Sequence, residues 1–492
     1  MQKIESTLEN KIRQQSQTIH SSSTVFWGLV NKEKKIDTRI SFLNHFLLKR
    51  NIPSVSMRLC VRTMDGSLVN EIIDEINEPK VYSYSLFDLV AELGIFKGEF
   101  AVYIEFTSSH NLAVPFCAVT SEIVSPTTVD IVHTYGRALE SQEIGSKVDF
   151  EVSYETGWSL WNVGNNFSNN LIFHNGRLHA NVKFNLILFL KGKQIASLDP
   201  HTTTLLPFAT YRLNLEQFLI TMDNGADLLG IIQDANEGEV DIKLKIEGLK
   251  SAFPRLLFVC TKAIDTAEKY SVDSMDKINF THSNFDFDCA EQPRSSLSYG
   301  FINNPKYPVG VETGFRYYPC KELSHLSVGT LSEISSNPIP MNGFSSLCVF
   351  SKTPIASRIV GGNWSKWRDS DLVKESSTGT FIVEYVQHSG YWHWGRLLPR
   401  GNNFSAIITI VNPFAGEDDS YCFTLSIYSD LGLCREETVE FNGSKTSLEF
   451  ISNDACGNGA WYVLKGDGVG KFNVFATVFF NDLSDGTIEH AF

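Results

Sequence analysis

The sequence predicts an all-β protein made of tandem antiparallel β-sandwich domains, immunoglobulin-like or jelly-roll, in three internal copies. Phe is common at 35 residues, and aromatic residues, which suit pleated and half-buried surfaces, reach 12%. Short runs alternate apolar and polar residues and are separated by Gly, Asn, Asp and Pro turns. One order of landmarks recurs three times along 492 residues, a length that exceeds a single hydrophobic core.

The first landmark of the repeat is an apolar strand that ends in Asn, followed by a second strand that closes on a Gly turn. The three residues are Asn44, Asn175 and Asn412. Because Asn tolerates the left-handed conformation and can hydrogen-bond its own backbone, we expect them to occupy equivalent turns. A Leu followed by Phe or Glu then precedes a longer, partly helical or irregular stretch, in SLFDLV, NLEQFL and SLEFIS. A Gly next opens an alternating strand, and the near-constant spacing predicts homologous domains.

The landmarks divide the chain into five predicted regions. These are a short amphipathic helix at 1–23, copy 1 at 24–140, copy 2 at 150–290, an insertion or degenerate sandwich at 291–377, and copy 3 at 378–492. The helix is predicted because Ile4, Leu8 and Ile12 recur every four residues. It could serve oligomerisation or docking, or be a leader before the first domain.

Each copy finishes on an alternating strand that ends in histidine. The three residues are His133, His282 and His490, and the nearby carboxylates are Asp130, Asp276 and Glu489. One interpretation makes each imidazole a ligand or a general base. The other makes it the last inward residue of a closing strand, donating its N–H to a backbone carbonyl. No partner recurs at a fixed offset, which favours the structural interpretation.

Composition restricts the class of partner and the compartment. The net charge of −14 and the absence of a Lys/Arg cluster argue against nucleic acid. No segment approaches 18 consecutive apolar residues, so no membrane span is predicted. Nine cysteines without a CxxC pair or a signal peptide predict free, mostly buried thiols and a cytoplasmic location.

Two histidines flank an Asn-Gly pair in IFHNGRLHAN, which predicts a two-residue hairpin with Asn175 and Gly176 at its tip. His174 and His179 lack the Cys or acidic neighbours that would complete a metal shell, so we predict no metal there. No phosphate loop, dinucleotide fingerprint or nucleophile elbow is present, and no cofactor is predicted.

The candidate ligand-binding site is an aromatic segment at 364–394. Its residues are Trp364, Trp367, Tyr391, Trp392, Trp394 and Asp369. Exposed Trp or Tyr rings beside polar groups can stack on the C–H faces of sugars. The alternative is that these rings fill the junction between the insertion and copy 3.

The sequence therefore favours a non-catalytic protein that binds or scaffolds, with a carbohydrate or a protein as its partner. An enzyme of glycan or surface-polysaccharide metabolism is the first alternative, because paired carboxylates cannot be recognised from sequence. Its acidic candidates are Asp369, Asp371 and Glu384. A virion or assembly component is the second alternative.

Overall fold

In the computed structural model the described residues begin at 20, and for part of them only the backbone is described. The described ranges are 20–110, 117–133, 137–138, 152–164, 166–191, 193–198, 201–236, 239–253, 256–263, 275–282, 285–287, 295–300, 312–319, 326–328, 339–340, 346–351, 359–368, 372–376, 380–383, 391–401, 403–411, 418–442, 445–451, 459–466 and 473–492.

The N-terminal sandwich contains two four-stranded antiparallel sheets. Its elements are β1 (His20–Asn31), β2 (Asp37–Leu43), α1 (His45–Arg50), β3 (Val55–Arg62), β4 (Leu68–Ile76), β5 (Val81–Ser85), α2 (Leu86–Ala91), β6 (Lys97–Ser108), β7 (Thr120–Val124) and β8 (Val129–His133). The sheet orders are β1-β6-β3-β4 and β5-β2-β7-β8. Residues 20–23, at the end of the predicted helix, belong to strand β1, and the rest of that helix lies outside the described residues.

The second sandwich follows a two-residue strand, β9 (Arg137–Ala138), that pairs with β17. Its elements are β10 (Val152–Leu160), β11 (Phe167–His174), β12 (Ala180–Leu190), β13 (Lys193–Ser197), β14 (His201–Leu205), β15 (Thr210–Asn214), α3 (Leu215–Ile220), α4 (Gly225–Asp234), β16 (Val240–Leu249), β17 (Ser251–Phe253), β18 (Leu256–Ala263) and β19 (Met275–His282). The sheet orders are β10-β16-β12-β13, with β14 also on β12, and β15-β11-β18-β19.

An intervening sheet pair lies between the second and the C-terminal sandwiches. Its strands are β20 (Phe285–Phe287), β21 (Ser295–Gly300), β22 (Glu312–Pro319), β23 (Leu326–Val328), β24 (Ile339–Pro340), β25 (Ser346–Ser351), β26 (Ile359–Lys366), β27 (Val373–Ser376) and β28 (Thr380–Val383). The orders are β20-β26-β22-β24, with β27 on β26, and β23-β25-β21-β28.

The C-terminal sandwich again has two four-stranded sheets. Its strands are β29 (Tyr391–Leu398), β30 (Phe404–Val411), β31 (Ser420–Ser429), β32 (Gly432–Asn442), β33 (Lys445–Ile451), β34 (Ala460–Gly466), β35 (Asn473–Phe480) and β36 (Gly486–His490). The orders are β29-β34-β31-β32 and β33-β30-β35-β36.

The predicted all-β sandwich class is confirmed. In the N-terminal, second and C-terminal sandwiches, one sheet takes the first, sixth, third and fourth principal strands, and the other takes the fifth, second, seventh and eighth. Since strand order describes a fold and not descent, homology of the three copies and the domain limits stay predictions.

Asn44 and Asn175 follow the second strand of their sandwiches, and neither is in the left-handed conformation. Asn44 has φ −68° and caps α1, accepting a hydrogen bond from the Leu47 N–H. The Asn175 amide donates to the carbonyls of Leu178 and Leu206 at 2.7 and 2.9 Å. Asn412 lies outside the described residues. The short polar side chain is therefore used to satisfy backbone groups where the chain leaves the sheet.

The Leu landmarks begin helices in two of the three sandwiches. Ser85 caps α2 by accepting from the Asp88 N–H, and Asn214 caps α3 by accepting from the Gln217 N–H. The third copy of this landmark instead lies in strand β33.

The predicted Asn175–Gly176 hairpin is wrong. Strand β11 pairs with β15 and β18, whereas β12 pairs with β13, β14 and β16. The chain therefore passes from one sheet to the other at this point, although Asn-Gly is also common hairpin chemistry.

Strand β8, the VDIVH sequence, is buried along its whole length. Val129 and Ile131 belong to the core of the C-terminal sandwich, whereas Val132 packs in a cluster shared with the second sandwich. Because successive side chains of a strand point to opposite faces, β8 contributes to two neighbouring cores.

A polar seam joins the N-terminal and second sandwiches. Arg177 pairs with Glu105 at 2.8 Å, and Arg212 pairs with Glu99 at 2.5 Å. Gly66, with φ +92°, lies in the β3–β4 turn, and a Cβ there would come within 2.3 Å of the Pro207 carbonyl oxygen. The close approach of the two backbones therefore requires glycine.

All five described cysteines are free; Cys60, Cys117 and Cys260 are buried, as predicted for most of the thiols, whereas Cys422 and Cys434 are exposed. The segments PFCAVT and LFVCTK predict that Cys117 and Cys260 lie on matching strands, and this is wrong, because Cys260 lies in β18 but Cys117 precedes β7. Among the described residues, no helix has both the length and the apolar character needed to cross a bilayer.

Candidate functional site

The described rings of the predicted aromatic site lie in two places: Trp392 and Trp394 belong to strand β29, whereas Trp367 follows strand β26 and contacts strand β35. Side chains are described for Trp367, Trp392 and Trp394. The side chains of Trp364 and Tyr391 lie outside the described residues, and so do Asp369, Asp371 and Glu384.

Trp367 fills the junction between the intervening sheet pair and the C-terminal sandwich. It is 2% exposed, and its ring stacks on Phe479 with centroids 5.8 Å apart. A Cβ at Gly486 would come within 2.3 Å of this ring, so the contact requires glycine there. Trp367 has the packing role that the junction alternative predicts.

Trp394 joins the C-terminal sandwich to helix α1 of the N-terminal sandwich. The ring is 5% exposed and stacks on His45 at a centroid distance of 5.1 Å. Burial, followed by the charges of Lys49 and Arg50, lowers the pKa of His45 to about 3. Its Nδ1–H donates to the Leu43 carbonyl at 3.3 Å, so a neutral imidazole lies in this junction.

Trp392 is the half-buried ring of the three. The Lys49 amine lies 5.2 Å and the Lys465 amine 5.9 Å from its centroid. Burial and the neighbouring Arg50 charge lower the pKa of Lys49 to about 8. We call Lys49, Trp392 and Lys465 the Trp392 surface; it combines a flat apolar ring with two cationic groups.

The three histidine-ended strands meet at strand β8. Strand β8 contacts both β19 and β36. The Ile278 N–H donates to the Thr128 hydroxyl at 3.4 Å, and the Lys277 amine donates to the Ser484 carbonyl at 3.3 Å. The equivalent strands of three sandwiches therefore pack against one another, which the sequence did not predict.

His133 is fully buried, and the partner of its Nδ1 is a carboxylate. Its Nδ1–H donates to the Glu489 carboxylate of β36, and its ring makes an edge contact with Phe492 at 5.1 Å. The carboxylate belongs to a different sandwich from the histidine. The side chains of His282 and His490 lie outside the described residues.

Lys374 of β27 is the second buried charge at this centre. Its amine lies 2.8 Å from Asp485 Oδ2 and 3.6 Å from Asp130 Oδ2, and it donates to the Val129 carbonyl at 2.5 Å. The Thr128 hydroxyl and the Val129 N–H also donate to Asp485, both at 2.9 Å. The intervening sheet pair, the N-terminal sandwich and the C-terminal sandwich thus share one ionic contact.

Arg396 of β29 forms the third contact, with Glu122 of β7. Arg396 Nη2 donates a hydrogen bond to Glu122 Oε2 at 2.8 Å. Arg396 Nε lies 2.5 Å from Glu122 Oε1, a close charge contact in which neither atom has a hydrogen-bond partner among the described residues. We call the whole set the central junction; its members are Glu122, Asp130, His133, Lys374, Arg396, Asp485 and Glu489.

The central junction is suited to clamping sandwiches together and not to meeting a substrate. The side chains of its three ion-paired contacts are at most 4% exposed. Each of its carboxylates faces a Lys, an Arg or a His. Among the described residues, no group of three or more His, Cys, Asp or Glu side chains is arranged to hold a metal ion.

Sequence reasoning found His133, Asp130 and Glu489 but assigned each carboxylate to its own copy. It missed Glu122, Lys374, Arg396 and Asp485. The sequence signal that could have found them was Arg396 in YWHWGRLL, a charged residue inside an apolar strand, since a buried charge needs a partner.

The expectation that His174 and His179 hold no metal ion stays a prediction. His174 hydrogen-bonds to Thr210 Oγ1 at 2.7 Å, and His179 is exposed.

Comparison with known proteins gives no family. No family model matches the chain, and no curated protein sequence matches it. A solved structure of a calcium-binding mutant of Bacteroides uniformis β-glucuronidase 2 is 9% identical, with 55% of this chain and 27% of that chain covered, at a TM-score of 0.12. A β-glucuronidase from glycoside hydrolase family 2 is 8% identical, with 56% and 25% covered, at a TM-score of 0.11. The chain spans about a quarter of the length of these structures, and similarity this low carries no argument about its function.

Proposed function

We propose that the chain is a non-catalytic binding and scaffolding protein whose sandwiches are held in a fixed arrangement. The observation that carries this proposal is the central junction, where buried charges from separate sandwiches pair with one another. A buried ion pair contributes little net stability compared with apolar packing. A buried ion pair instead requires one geometry of its two charged groups, and so it selects one arrangement of the sandwiches that contribute them. A scaffold needs such a fixed arrangement.

The enzyme alternative is tested directly. The purified full chain is incubated with a panel of polysaccharides, and new reducing ends and bound polysaccharide are measured in parallel. We expect saturable binding to a glycan or capture of a protein without chain shortening. Release of reducing ends at a constant rate per molecule of protein would favour the enzyme alternative.

A carbohydrate is the ligand that the Trp392 surface favours. A half-buried indole can stack on a sugar ring, and two neighbouring amines favour a sugar that carries carboxylate or sulfate groups. Trp364, Tyr391 and Asp369 stay predicted members of the site. Trp394, whose ring centroid lies 5.0 Å from that of Trp392, would support it from the packed contact with helix α1.

The matched test compares two solvent-accessible aromatic rings that each lie near a lysine amine. Trp392→Ala should weaken binding to acidic oligosaccharides at least tenfold, because stacking is lost. Phe96→Ala is the control, since Phe96 is 46% exposed and also carries a lysine amine, that of Lys32, 4.5 Å from its centroid. Equal affinities for the wild type and the Trp392 variant would exclude this surface as the site.

The assembly alternative predicts self-association. Sedimentation velocity of the full chain should show one species across a wide range of concentration if the scaffold acts as a single molecule. Ordered association into larger species would favour a virion or assembly component, and the predicted N-terminal helix would then be the first region to delete.

A further inference from the structure

The β29-β34-β31-β32 sheet of the C-terminal sandwich has an outer face that is covered in one part and open in another. Phe423 and Leu425 belong to the core of this sandwich, so the residues that alternate with them point to the outer face. Part of that face is covered, because Trp394 and Trp461 pack in the core cluster of the N-terminal sandwich. The Trp392 surface belongs to the part that stays open to solvent.

One row of side chains on the open part crosses all four strands. Trp392 of β29 lies opposite Lys465 of β34. Lys465 in turn lies opposite Thr424 of β31, which lies opposite Thr438 of β32. We call these four residues the cross-strand row; Lys465 and Thr438 are exposed, and Trp392 and Thr424 are half-buried. Strands lie about 4.8 Å apart, so the row is about 14 Å long and exceeds the width of a single sugar ring.

The two ends of the cross-strand row carry opposite charges. At the Trp392 end lie the amines of Lys49 and Lys465, and the Lys49 amine is held by a 3.3 Å hydrogen bond to the backbone carbonyl of β29. At the other end, Glu436 and Glu440 lie two residues before and after Thr438, so alternation places both carboxylates on its face. Both glutamates are exposed. An anionic group is therefore attracted at one end of the row and repelled at the other.

We propose, on the basis of the carbohydrate function proposed for the Trp392 surface, that the cross-strand row binds an oligosaccharide in which one acidic sugar is followed by neutral sugars. The acidic sugar stacks on Trp392, with its anionic group at the two lysine amines. The neutral sugars extend towards β32, where the Thr424 and Thr438 hydroxyls donate to and accept from sugar hydroxyls. The carboxylates of β32 repel a second anionic sugar, so the row selects against glycans that are acidic throughout.

Isothermal titration of the full chain with four probes tests this order of sugars. The probes are sialyllactose, which has one acidic and two neutral sugars, and sialic acid, lactose and trigalacturonic acid, which is acidic throughout. We expect saturable binding of sialyllactose, about tenfold tighter than that of each other probe. Failure of sialyllactose to bind, or an equal or tighter affinity for one of the other probes, would overturn the proposal.

Two variants separate the cross-strand row from the Trp392 surface alone. Thr438→Val removes a hydroxyl near β32 and should weaken sialyllactose binding about threefold while sialic acid binding stays unchanged. Thr202→Val is the control, since Thr202 is also an exposed threonine of a strand, β14. Glu440→Gln should strengthen binding of trigalacturonic acid about threefold, because it removes a repulsive charge.

The failure of this inference differs from the failure of the proposed function. Unchanged affinities in both Thr438→Val and Glu440→Gln, beside a loss in Trp392→Ala, would overturn the cross-strand row and leave the Trp392 surface standing. An unchanged affinity in Trp392→Ala would instead overturn the carbohydrate function itself.

Discussion

The central junction and the seam both contain pairs of arginine and glutamate, but the side chains are more deeply buried at the central junction. Arg396 and Glu122 are both 0% exposed, whereas Arg212 and Glu99 at the seam are 25% and 11% exposed. Water and salt screen the seam pairs, but they do not reach the junction pairs. Removing one partner of an ion pair should therefore lower the free energy of unfolding strongly at the central junction and weakly at the seam.

The largest effect is expected at Arg396. Arg396→Met leaves the Glu122 carboxylate buried without a counter-charge, which should lower the free energy of unfolding by about 3–5 kcal/mol. Urea unfolding followed by Trp fluorescence measures this change. Combining Arg396→Met with Glu122→Leu should recover most of the loss. Arg435→Met is the control, since its pair with Glu437 is surface-exposed; equal losses for both single variants would contradict the comparison.

Acid sensitivity should arise at the contact between His45 and Trp394 and at the seam. The pKa values of His45 and His174 are lowered to about 3 in the fold, while an unfolded histidine titrates near 6.5. As the pH falls below about 6.5 the unfolded chain takes up protons that the folded chain does not, so stability falls towards about pH 3. Linkage gives a loss on the order of 2 kcal/mol per histidine between pH 7 and 5.

Single variants separate the two contributions to this acid dependence. His45→Gln should remove the part of the stability loss that arises at the contact with Trp394. His174→Gln should remove the part that arises at the seam. Unfolding free energies at pH 7 and 5 for both variants provide the measurement. An unchanged pH slope in both would show that these histidines are not the titrating groups.

His133 is expected to have a smaller effect than Arg396. His133→Ala removes a buried donor to Glu489 and a ring contact with Phe492, which should lower stability by about 1–3 kcal/mol while ligand binding stays intact. Thermal unfolding beside an His179→Ala control, an exposed site, measures the difference. Loss of binding at unchanged stability would instead make His133 a functional group.

The smallest effect is expected at the seam. Arg177→Gln breaks a pair with Glu105 whose side chains are 23% and 12% exposed, so the loss should stay below about 1 kcal/mol. Because salt screens exposed pairs, the difference from the wild type should shrink further in 1 M sodium chloride. A loss as large as that of Arg396→Met would erase the distinction between the two interfaces.

The fold class could be predicted from the sequence because strand alternation and turn residues are local signals. Strand β12, ANVKFNLILFL, alternates buried and less buried residues as such a pattern requires. The Asn175–Gly176 connection was mispredicted because a local turn signal does not say which sheet the next strand joins. Pairing across 356 residues, as between His133 and Glu489, leaves no local pattern at all.

The candidate site was predicted in part for the same reason. Trp367, Trp392 and Trp394 stood out by residue type, but their exposure depends on surfaces from elsewhere in the chain. Helix α1 covers Trp394, and Gly486 with Phe479 covers Trp367. Sequence spacing could therefore locate the rings but could not distinguish the half-buried one from the buried ones.

Strand β8 sets a limit on how this chain can be divided. Val129 and Ile131 complete the hydrophobic core of the C-terminal sandwich, although they are hydrogen-bonded into a sheet of the N-terminal one. A fragment covering only 24–140 would expose both side chains, and the remaining chain would lack part of a core. The covalent order of sandwiches is thus not an order of independent folding units, and we expect limited proteolysis to release no autonomous N-terminal fragment.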